Sequence, residues 1–581
     1  MSRSAIVLVA VLSLVAWGCT KGSDTFVTVP GRSQGGGGEK VTVKGSGNVA
    51  AASVALPSNA TNESTITLSQ GTQVTGTAAT ASVGPAVQVT APSGTSFSSP
   101  VRVTVPIDAS KVTNAAEVVI LQRNDATGAV KILRPIKVDL VAETAEVYVT
   151  SFSTFQGALV PNNAQIQGTY NAVAYLPDVE RSGTGDAASW DIGAVSSDSK
   201  FTFDGAGGMT VVSGSEDAAI LTLTRGSTAS LTSNAKSPVN LNWTYTFNPT
   251  QGTLAITDHA GDPQHGVRNL DGTTVVFTFT SSGTDDLSRH IIVAVREGST
   301  LDSSILKDAY NVLGIGTELE TLAGPQDGRV RIVAFDGFLT DPNQGLLTKQ
   351  AGTSNYALAT KSQAGNSRSI DFNQPNGLVG GASVTAAHQN LSPAPIVVQS
   401  TGHLDFGTRK GVVSASGSLV FLQDAQNTPT SLGRHVFAAF ERSTSYDPSD
   451  LEGDYQLVGL SRDMTQTGKF LEFNHITWRG QLTLKDGFAD FGDRTGQEGR
   501  VSINMDGVGL TSSITAQTIT RPRLVVNYNV TNSGRMFFDA GGQPFPGLAA
   551  PDGSLIVFSQ PIGTGFGTSE LWYALRVTSN Q

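Results

Sequence analysis

The sequence contains a single cysteine, few charged residues and no apolar run long enough to span a membrane. Because Cys19 has no partner cysteine, the chain forms no internal disulfide, and each domain must rely on its own hydrophobic core. Charged residues make up only 15% of the 581 residues, against roughly 25% in a typical soluble domain. The 48 acidic and 38 basic residues give a net charge of -10, which repels phosphate backbones and argues against a nucleic-acid partner.

The sequence also lacks the short motifs of common enzyme classes. It has no Gly-x-Ser-x-Gly elbow, no phosphate-binding Gly-Lys-Ser/Thr loop and no His-Glu-x-x-His zinc motif. We therefore assign no catalytic residue and no cofactor, and expect a protein that is not an enzyme. Paired carboxylates for sugar hydrolysis stay open as an alternative, because their separation exists only in three dimensions.

What the sequence does contain begins with a targeting segment. Arg3 precedes an apolar run from Ala5 to Trp17, whose thirteen residues suit the core of a signal peptide. The run ends in Ala-Trp-Gly-Cys, which resembles the lipobox of bacterial lipoproteins. That resemblance implies that residues 1–18 are removed and that Cys19 becomes the lipid-attached N-terminus. A secreted protein whose cysteine is incidental is the alternative.

The residues after the cysteine predict where the protein is held. Thr20 follows Cys19, and in the enterobacterial sorting scheme Asp at this place retains a lipoprotein at the inner membrane, so Thr favours the outer membrane. Residues 19–40 include four consecutive glycines and are typical of a flexible tether with an r.m.s. span of roughly 25 Å. We therefore expect a protein of the bacterial cell envelope, lipid-anchored at the outer membrane or cell surface, with the membrane as a partner.

Residues 41–160 predict a first β domain. Runs such as Thr65–Leu68 and Val101–Val105 alternate in apolarity and are separated by Ser, Gly and Pro clusters, which is typical of a β-sandwich. The Val83-Gly84-Pro85 corner, the turn at 92–97 and the ending at 151–155 resemble the bacterial relatives of the ZU5 domain.

The resemblance to ZU5 domains also raises the question of self-cleavage. Some ZU5 proteins cut themselves at a His-Phe-Ser triplet, whose place is taken here by Ser151, Phe152 and Ser153. Because Ser151 replaces the histidine that activates the serine, we expect no self-cleavage and interpret these residues as a terminal strand.

The rest of the chain repeats one set of landmarks three times. Tyr170, Tyr310 and Tyr455 open units about 140 residues long, far beyond the roughly 20–50-residue periods of solenoid repeats. In each unit a first turn, a Gly-led apolar alternation, a second turn and a closing strand with a central alanine follow in the same order. These landmarks are Asp204-Gly205, Asp336-Gly337 and Asp486-Gly487; Gly252, Gly402 and Gly534; Asp271-Gly272, Ser416-Gly417 and Asp552-Gly553; and Ala294, Ala439 and Ala574. We predict three related domains at 164–305, 306–450 and 451–581.

Each unit has room for about eight to ten strands. Asp-Gly hairpins predict an antiparallel meander, and about eight strands suffice to close a barrel that leaves no edge and is filled or holds one small ligand. We therefore predict an all-β chain, an N-terminal β-sandwich followed by three related antiparallel meander β-barrels. The Gly-x-Tyr opening of the first and third units resembles the Gly-x-Trp of lipocalins, while the second unit has Asp308 in place of the glycine. A β-propeller is the alternative, but its blades recur every roughly 40–50 residues, and no such period occurs inside a unit.

The polar residues that suit a metal are interpreted as turn and strand-end residues. His259 and His265 fall in one predicted loop with Asp258 and Asp262, but the other units have no counterpart. Oxygen-rich clusters of the kind that calcium prefers lie at Asp447, Asp450, Glu452 and Asp454, and at Asp490, Asp493 and Glu498. Neither cluster matches the EF-hand loop, so we predict no metal site.

These features favour a protein that binds or presents a surface. Three related modules in series raise avidity for a repetitive partner, such as a polysaccharide, lipid or envelope protein. A purely structural envelope scaffold with filled barrels is the second hypothesis, and a carbohydrate-active enzyme is the third. A hollow barrel would favour binding, whereas packed interiors would favour the scaffold. The sequence identifies no ligand-binding residue.

Overall fold

The computed structural model of this protein describes most of the chain after residue 39. The described residues are 26–27, 39–57, 66–74, 81–91, 101–125, 128, 130–149, 151–160, 165–183, 189–224, 229–236, 240–258, 263–282, 285–298, 300–322, 327–335, 343–361, 368–373, 377–383, 388–442, 446, 451–467, 470–504, 512–540, 544–559 and 568–577. This part of the chain is built from antiparallel strands and a few 3₁₀ turns, at Gly47–Val49, Ala109–Lys111, Ala115–Glu117 and Ser303–Ile305. Within these ranges no helix has the length and apolarity needed to cross a bilayer.

The N-terminal domain is a sandwich of two five-stranded sheets. Its strands are β2 Glu39–Lys44, β3 Ser53–Pro57, β4 Thr67–Gln70, β5 Ala81–Thr90, β6 Val101–Pro106, β7 Val118–Arg123, β8 Val130–Leu133, β9 Lys137–Asp139, β10 Thr144–Val149 and β11 Thr154–Leu159. One sheet has the order β2-β3-β6-β10-β9 and the other β4-β5-β11-β7-β8. Val101, Val103 and Val105 point inward at period two and pack with Phe155 between the sheets. A short strand β1, Phe26–Val27, pairs with residues 530–531 of the third barrel.

The first repeat closes into an eight-stranded barrel, barrel 1. Its strands are β12 Gln167–Ser182, β13 Ser189–Asp204, β14 Gly208–Thr224, β15 Ser230–Lys236, β16 Asn240–Asn248, β17 Thr253–Thr257, β18 Pro263–Arg268, β19 Thr274–Ser282 and β20 Asp286–Arg296. The ring runs β12-β13-β14-β16-β17-β18-β19-β20 and back to β12, and β15 pairs with the far end of β14 outside the ring.

The second repeat forms barrel 2 by the same path. Its strands are β21 Ala309–Thr321, β22 Asp327–Phe335, β23 Leu346–Lys349, β24 Asn355–Lys361, β25 Arg368–Asn373, β26 Gly377–Ser383, β27 His388–Val398, β28 His403–Phe406, β29 Arg409–Val413, β30 Leu419–Asn427 and β31 Ser431–Glu441. The ring β21-β23-β24-β27-β28-β29-β30-β31 closes on β21, while β22, β25 and β26 continue the sheet outward.

The third repeat forms barrel 3. Its strands are β32 Gly453–Thr467, β33 Phe470–Lys485, β34 Phe488–Phe491, β35 Arg494–Asn504, β36 Ser512–Arg521, β37 Leu524–Thr531, β38 Arg535–Asp539, β39 Pro544–Ala549, β40 Leu555–Phe558 and β41 Thr568–Arg576. The ring β32-β33-β34-β37-β38-β39-β40-β41 closes on β32, with β35 and β36 outside it. The predicted fold class is therefore confirmed, with a sandwich and three closed antiparallel barrels.

The repeated landmarks are the residues that close each barrel. The buried hydroxyl of Tyr170 donates to the carbonyl of Gly272 at 2.9 Å, and that of Tyr310 donates to the carbonyl of Gly417 at 2.8 Å. Tyr455 reaches the carbonyl of Gly553 at 3.0 Å in the same way. The opening tyrosine thus bonds the first strand to the turn that precedes the second-last strand, the β18–β19, β29–β30 or β39–β40 turn, which explains why both recur in every unit.

The barrel interiors are packed with side chains. In barrel 1, Tyr245, Phe247, Phe277 and Ile292 belong to one buried cluster that also contains Ala294. Equivalent clusters fill the other two barrels. Trp243, Tyr245 and Phe247 are spaced by two along β16, so all three face this interior. Interiors filled in this way leave the outer walls and the junctions between barrels as the surfaces available to a partner.

Candidate functional site

The three barrels pack against one another in a ring. Strand β12 of barrel 1 contacts β30 and β31 of barrel 2, β21 contacts β39 and β41 of barrel 3, and β32 contacts β18 and β19 of barrel 1. The outward-facing residues of these strands, among them Val173, Leu313 and Val458, form one continuous apolar core. Sequence-equivalent strands therefore build three equivalent junctions, and differences between the junctions show where the symmetry is broken.

Arg462 ties all three barrels together at the centre of the ring. Its fully buried guanidinium donates to the hydroxyl of Tyr175, to Thr317 Oγ1 at 2.7 Å and to the carbonyl of Gly316 at 3.1 Å. It also donates to Ser569 Oγ of its own barrel at 3.0 Å. Burial lowers the pKa of this arginine, and the oxygen acceptors replace the water that the charge has lost. The junction is a fixed structural element and leaves a void of only about 10 Å³.

Two of the three junctions are sealed by one asparagine each. Asn171, next to the opening tyrosine of barrel 1, donates from Nδ2 to the carbonyl of Thr401 in barrel 2 at 2.7 Å. Asn311, at the equivalent place in barrel 2, donates to the carbonyl of Ser533 in barrel 3 at 2.6 Å. Its Oδ1 accepts from Arg535 Nε at 3.0 Å. Both accepting carbonyls immediately precede the glycine that leads the apolar alternation.

The third junction, between barrels 3 and 1, is open. Gln456 takes the place of the sealing asparagine, and no described residue forms a hydrogen bond with its half-buried side chain. A cleft of about 410 Å³ lies there instead, within the roughly 300–1,000 Å³ that ligand pockets occupy. Its polar lining is Gln251, Thr253 and His265 from barrel 1 and Gln456, Arg479, Gln481, Asp493 and Thr495 from barrel 3. We call this cleft the open junction.

A single direct bond crosses the open junction among the polar groups that line it. Arg479 Nη1 lies 2.8 Å from His265 Nε2, so the ring accepts at this nitrogen and carries its proton on Nδ1. Burial, followed by the positive charge of Arg479, lowers the pKa of His265 to about 4. The imidazole is therefore neutral at neutral pH. Arg479 and Asp493 contribute one charge of each sign, so the lining as a whole is close to neutral.

The strongest concentration of buried charge lies away from this cleft, in barrel 2. His435 is fully buried, with Asp424 Oδ2 3.4 Å from Nδ1 and Glu318 Oε1 3.5 Å from Nε2. Burial lowers the pKa of His435, but its contacts with the two carboxylates outweigh that effect and raise it. Arg409 and Arg331 pair with the outer oxygens of the carboxylates at 2.9 and 2.5 Å. Every member has an opposite charge beside it, so this cluster is an ion-pair network inside the barrel structure.

Barrel 3 has a different group at the same place. Glu570, fully buried, accepts from Ser461 Oγ at 2.6 Å, from Trp572 Nε1 at 2.9 Å and from both nitrogens of Arg521 at 2.7 and 3.1 Å. His290, His435 and Glu570 stand at equivalent places, four residues before the central alanine of the closing strand. In barrels 2 and 3 this strand position carries a buried ion-pair network.

The N-terminal sandwich lies against barrels 1 and 3. Arg134 donates to the carbonyls of Thr250 at 2.6 Å and Val577 at 3.1 Å, and Arg576 lies over the ring of Tyr148 at 5.9 Å. A void of about 60 Å³ remains between the sandwich and the two barrels. The sandwich thus holds the same two barrels whose mutual junction is open.

Several residues singled out in the sequence lie outside the part of the chain that the structure describes. They are residues 1–18, Cys19, the 92–97 turn, His259, Asp262, Asp336, Gly337, Asp447 and Asp450. Among the described residues, no group of three or more His, Cys, Asp or Glu side chains is arranged to hold a metal ion. His265 lies in the open junction, in strand β18 instead of the predicted loop.

The described acidic residues are occupied by protein donors. Asp490 accepts two bonds from Arg523, whose main-chain N–H bonds to Asp493. Glu498 accepts from Asn474 and Gln517. Trp190, Trp478 and Trp572 are fully buried and pack in the core.

The triplet at the end of the sandwich differs from the prediction in one respect. Ser151, Phe152 and Ser153 precede β11 instead of lying in it, because β11 begins at Thr154. Ser153 Oγ donates to the carbonyl of Phe152 at 2.7 Å and accepts from Gln122 Nε2 at 3.3 Å. The amide of Gln122 is not a base, so it cannot take the serine proton.

The comparisons with known proteins add nothing to the fold and the site described above. No family model and no curated protein matches this chain. Among solved structures, a transferrin binding protein B double mutant from Haemophilus parasuis is 9% identical, with 81% of this chain and 85% of that chain covered and a TM-score of 0.14. The isotype 1 transferrin binding protein B from serogroup B Neisseria meningitidis is 10% identical, with 79% and 85% covered and a TM-score of 0.16. At these TM-scores the two superpositions support no statement about family, partner or function.

Proposed function

We propose that this protein is a lipid-anchored binding protein of a bacterial envelope, displayed at the outer membrane or cell surface, which binds its partner at the open junction. The observation that carries the proposal is the broken symmetry of the ring. Two junctions are closed by an asparagine bond, while the third keeps a polar cleft of about 410 Å³. Since the barrel interiors are packed, a partner binds between barrels instead of inside one.

The proposal excludes a catalytic role. The buried carboxylates that most resemble a catalytic pair, Asp424 and Glu318, are both neutralised by arginines. The open junction holds one carboxylate, Asp493, whose Oδ1 already accepts a main-chain N–H. A hydrolase of sugars needs two carboxyl groups about 5–10 Å apart that reach the substrate.

Binding is tested by filling the cleft. Gln481 is exposed and lines the open junction, so Gln481→Trp places a large ring in the cleft without altering either barrel core. Wild-type and variant proteins are compared for binding to envelope polysaccharide, lipid vesicles and purified envelope proteins by surface plasmon resonance. We expect one of these partners to bind the wild type and not to bind Gln481→Trp. Equal binding by both proteins, or no binding at all, contradicts the proposal.

The anchor is a second part of the proposal. We propose that Cys19 is lipidated after removal of residues 1–18 and that residues 19–40 are the tether, because lipid chains hold a protein at a bilayer without a spanning segment. Labelling cells with radioactive palmitate tests this: the wild type is expected to be labelled and to fractionate with membranes. Cys19→Ala is expected to carry no label and to be released. A Cys19→Ala protein that still fractionates with membranes would contradict the anchor.

We further propose the domain limits 41–160, 164–305, 306–450 and 451–581, a ZU5-like origin for the sandwich and a lipocalin-like origin for the barrels. The two-sheet sandwich and the eight-stranded meander barrels support these assignments at the level of architecture. Because Ser151 stands in place of the histidine of the self-cleaving triplet, and the Gln122 amide that contacts Ser153 is not a base, we expect the full chain to migrate as one band after prolonged incubation.

A structural scaffold is the second candidate function. The packed barrel interiors favour it, because a filled barrel needs no ligand to be stable. In that case, deleting the protein weakens the envelope, measured as detergent sensitivity, and Gln481→Trp restores it as well as the wild type does. A binding role predicts that the filled variant fails to restore it.

A further inference from the structure

We infer that the ligand of the open junction is the main chain of a Gly-containing polypeptide turn, and that Gln456 recognises one of its carbonyl groups. The inference rests on the proposed function, since it names the ligand class of the same cleft. It follows from the hydrogen bonds at the two sealed junctions, the chemistry of the residues that line the cleft, and the side chain of Gln456, which has no hydrogen bond with any described residue.

The sealed junctions show what this strand position binds. Asn171 and Asn311, the residues equivalent to Gln456, each donate from a side-chain amide to a main-chain carbonyl of the neighbouring barrel. Each of those carbonyls belongs to a turn whose next residue is a glycine with positive φ, 97° at Gly402 and 87° at Gly534. The fold therefore uses one surface position twice to bind the backbone of a Gly-containing turn.

The same position is unsatisfied in the open junction. Gln456 lies on the outward face of β32, as Asn171 does on β12, because Tyr455 and Leu457 on either side point into barrel 3. Its side chain has no hydrogen bond with any described residue, and Gln481 on the adjacent strand has none either. Two free amides at one cleft present both donors and acceptors, which is the pattern that peptide N–H and C=O groups require.

The rest of the lining favours a peptide over a charged or sugar ligand. The charges of Arg479 and Asp493 offset each other, so neither an anion nor a cation is preferred. A sugar ring is commonly bound by stacking on an aromatic face, but among the described lining residues the only ring is that of His265, which is already bonded to Arg479. Amide and hydroxyl groups from Gln251, Thr253 and Thr495 complete a surface suited to backbone hydrogen bonds.

The test uses a peptide copied from a sealed junction. Acetyl-Gln-Ser-Thr-Gly-His-Leu-amide reproduces residues 399–404, the turn whose Thr401 carbonyl is bound by Asn171. A fluorescein-labelled form is titrated with the full-length mature protein and followed by fluorescence anisotropy. We expect saturable binding, weakened about 2- to 12-fold by Gln456→Ala, since one hydrogen bond is lost, and abolished by Gln481→Trp. Gln350→Ala, an exposed glutamine on a turn of barrel 2, is the matched control and should bind as the wild type does.

A parallel titration with labelled maltohexaose, a neutral oligosaccharide, separates the two proposals. If the sugar binds the wild type but not Gln481→Trp, and the peptide binds neither, the inferred ligand class is wrong and the proposed function stands. If neither probe binds, or if the peptide binds Gln456→Ala and Gln481→Trp as tightly as the wild type, the peptide inference is overturned. Circular dichroism of each variant shows that its fold is intact.

Discussion

The difference between sealed and open junctions leads to a quantitative prediction about stability. Asn311→Ala removes two bonds at the junction of barrels 2 and 3, to the carbonyl of Ser533 at 2.6 Å and from the guanidinium of Arg535 at 3.0 Å. Both Asn311 and Arg535 are 1% exposed, so water cannot replace either partner. The substitution takes one bond from the Ser533 carbonyl and one from Arg535, which keeps its bond to the carbonyl of Gln344. Each buried hydrogen bond lost in this way costs about 1–3 kcal/mol, so we expect the free energy of unfolding to fall by about 2–5 kcal/mol.

The equivalent substitution at the open junction gives the contrast. Gln456→Ala removes no hydrogen bond to a described residue, so its effect on the free energy of unfolding should stay within about 0.5 kcal/mol. Asn171→Ala removes one bond and is expected to cost about 1–3 kcal/mol.

Urea denaturation resolves these differences. The unfolding of the three variants is followed by circular dichroism and by the fluorescence of the buried Trp190, Trp478 and Trp572. We expect the urea midpoint to be highest for Gln456→Ala, lower for Asn171→Ala and lowest for Asn311→Ala, with unchanged slopes. A Gln456→Ala protein destabilised as much as Asn311→Ala would refute the reasoning, because it would mean that the third junction is sealed as the others are.

Three further predictions concern the buried polar groups. Tyr310→Phe removes the hydroxyl that donates to Gly417 O and accepts from the Lys307 N–H, both at 2.8 Å, and should lower the free energy of unfolding by about 1–3 kcal/mol. Tyr573→Phe is the matched control, because the buried hydroxyl of Tyr573 has no described partner, and it should leave the free energy of unfolding unchanged in the same urea titration. Glu570→Gln leaves the charge of Arg521 without its counter-ion and should lower the free energy of unfolding by about 3–5 kcal/mol, seen as a lower thermal midpoint. An unchanged midpoint would show that the carboxylate is not paired. Burial, helped by the charges of Arg462 and Arg289, lowers the pKa of His475 from 6.5 to about 3. Between about pH 6.5 and 3 the unfolded chain therefore binds a proton that the folded chain does not bind, so stability should fall as the pH drops through this window and level off below it. His475→Gln should reduce the slope of stability against pH in this window by one proton, and an unchanged slope would show that this imidazole is not buried.

The repeat pattern predicted the barrels because its landmarks are closure residues. Tyr170, Tyr310 and Tyr455 recur since each bonds to the turn before the second-last strand of its barrel. The turns recur since each needs a glycine with positive φ, as at Gly205 and Gly487. Period-two alternation also identified the inward face of strands such as β6, whose Val101, Val103 and Val105 point into the sandwich. Local patterns of this kind depend on contacts within one unit, so they are visible in the sequence.

The arrangement of the barrels could not be predicted in this way. Strands β12 and β13 are 16 residues long, and their far ends leave the ring to build a second apolar core with Leu319 of barrel 2 and Phe473 of barrel 3. Typical strands have about 5–6 residues, and no unbroken period-two alternation runs along either of these two, so their length is not visible in a local pattern.

The open junction was even harder to predict from the sequence. It depends on the change from Asn171 and Asn311 to Gln456 at one position, which a single sequence does not distinguish from ordinary surface variation. His265 entered the sequence reasoning as a loop residue near other polar groups, and its partner Arg479 lies 214 residues away in the chain. Contacts between units carry no local period, so only the folded arrangement reveals them.

The most direct test of the account is a crystal structure of the mature chain grown with acetyl-Gln-Ser-Thr-Gly-His-Leu-amide. The account predicts peptide density between barrels 1 and 3, with a main-chain carbonyl oxygen about 2.7–3.2 Å from Gln456 Nε2. Density inside a barrel, or a third junction closed by Gln456 against barrel 1, would contradict it.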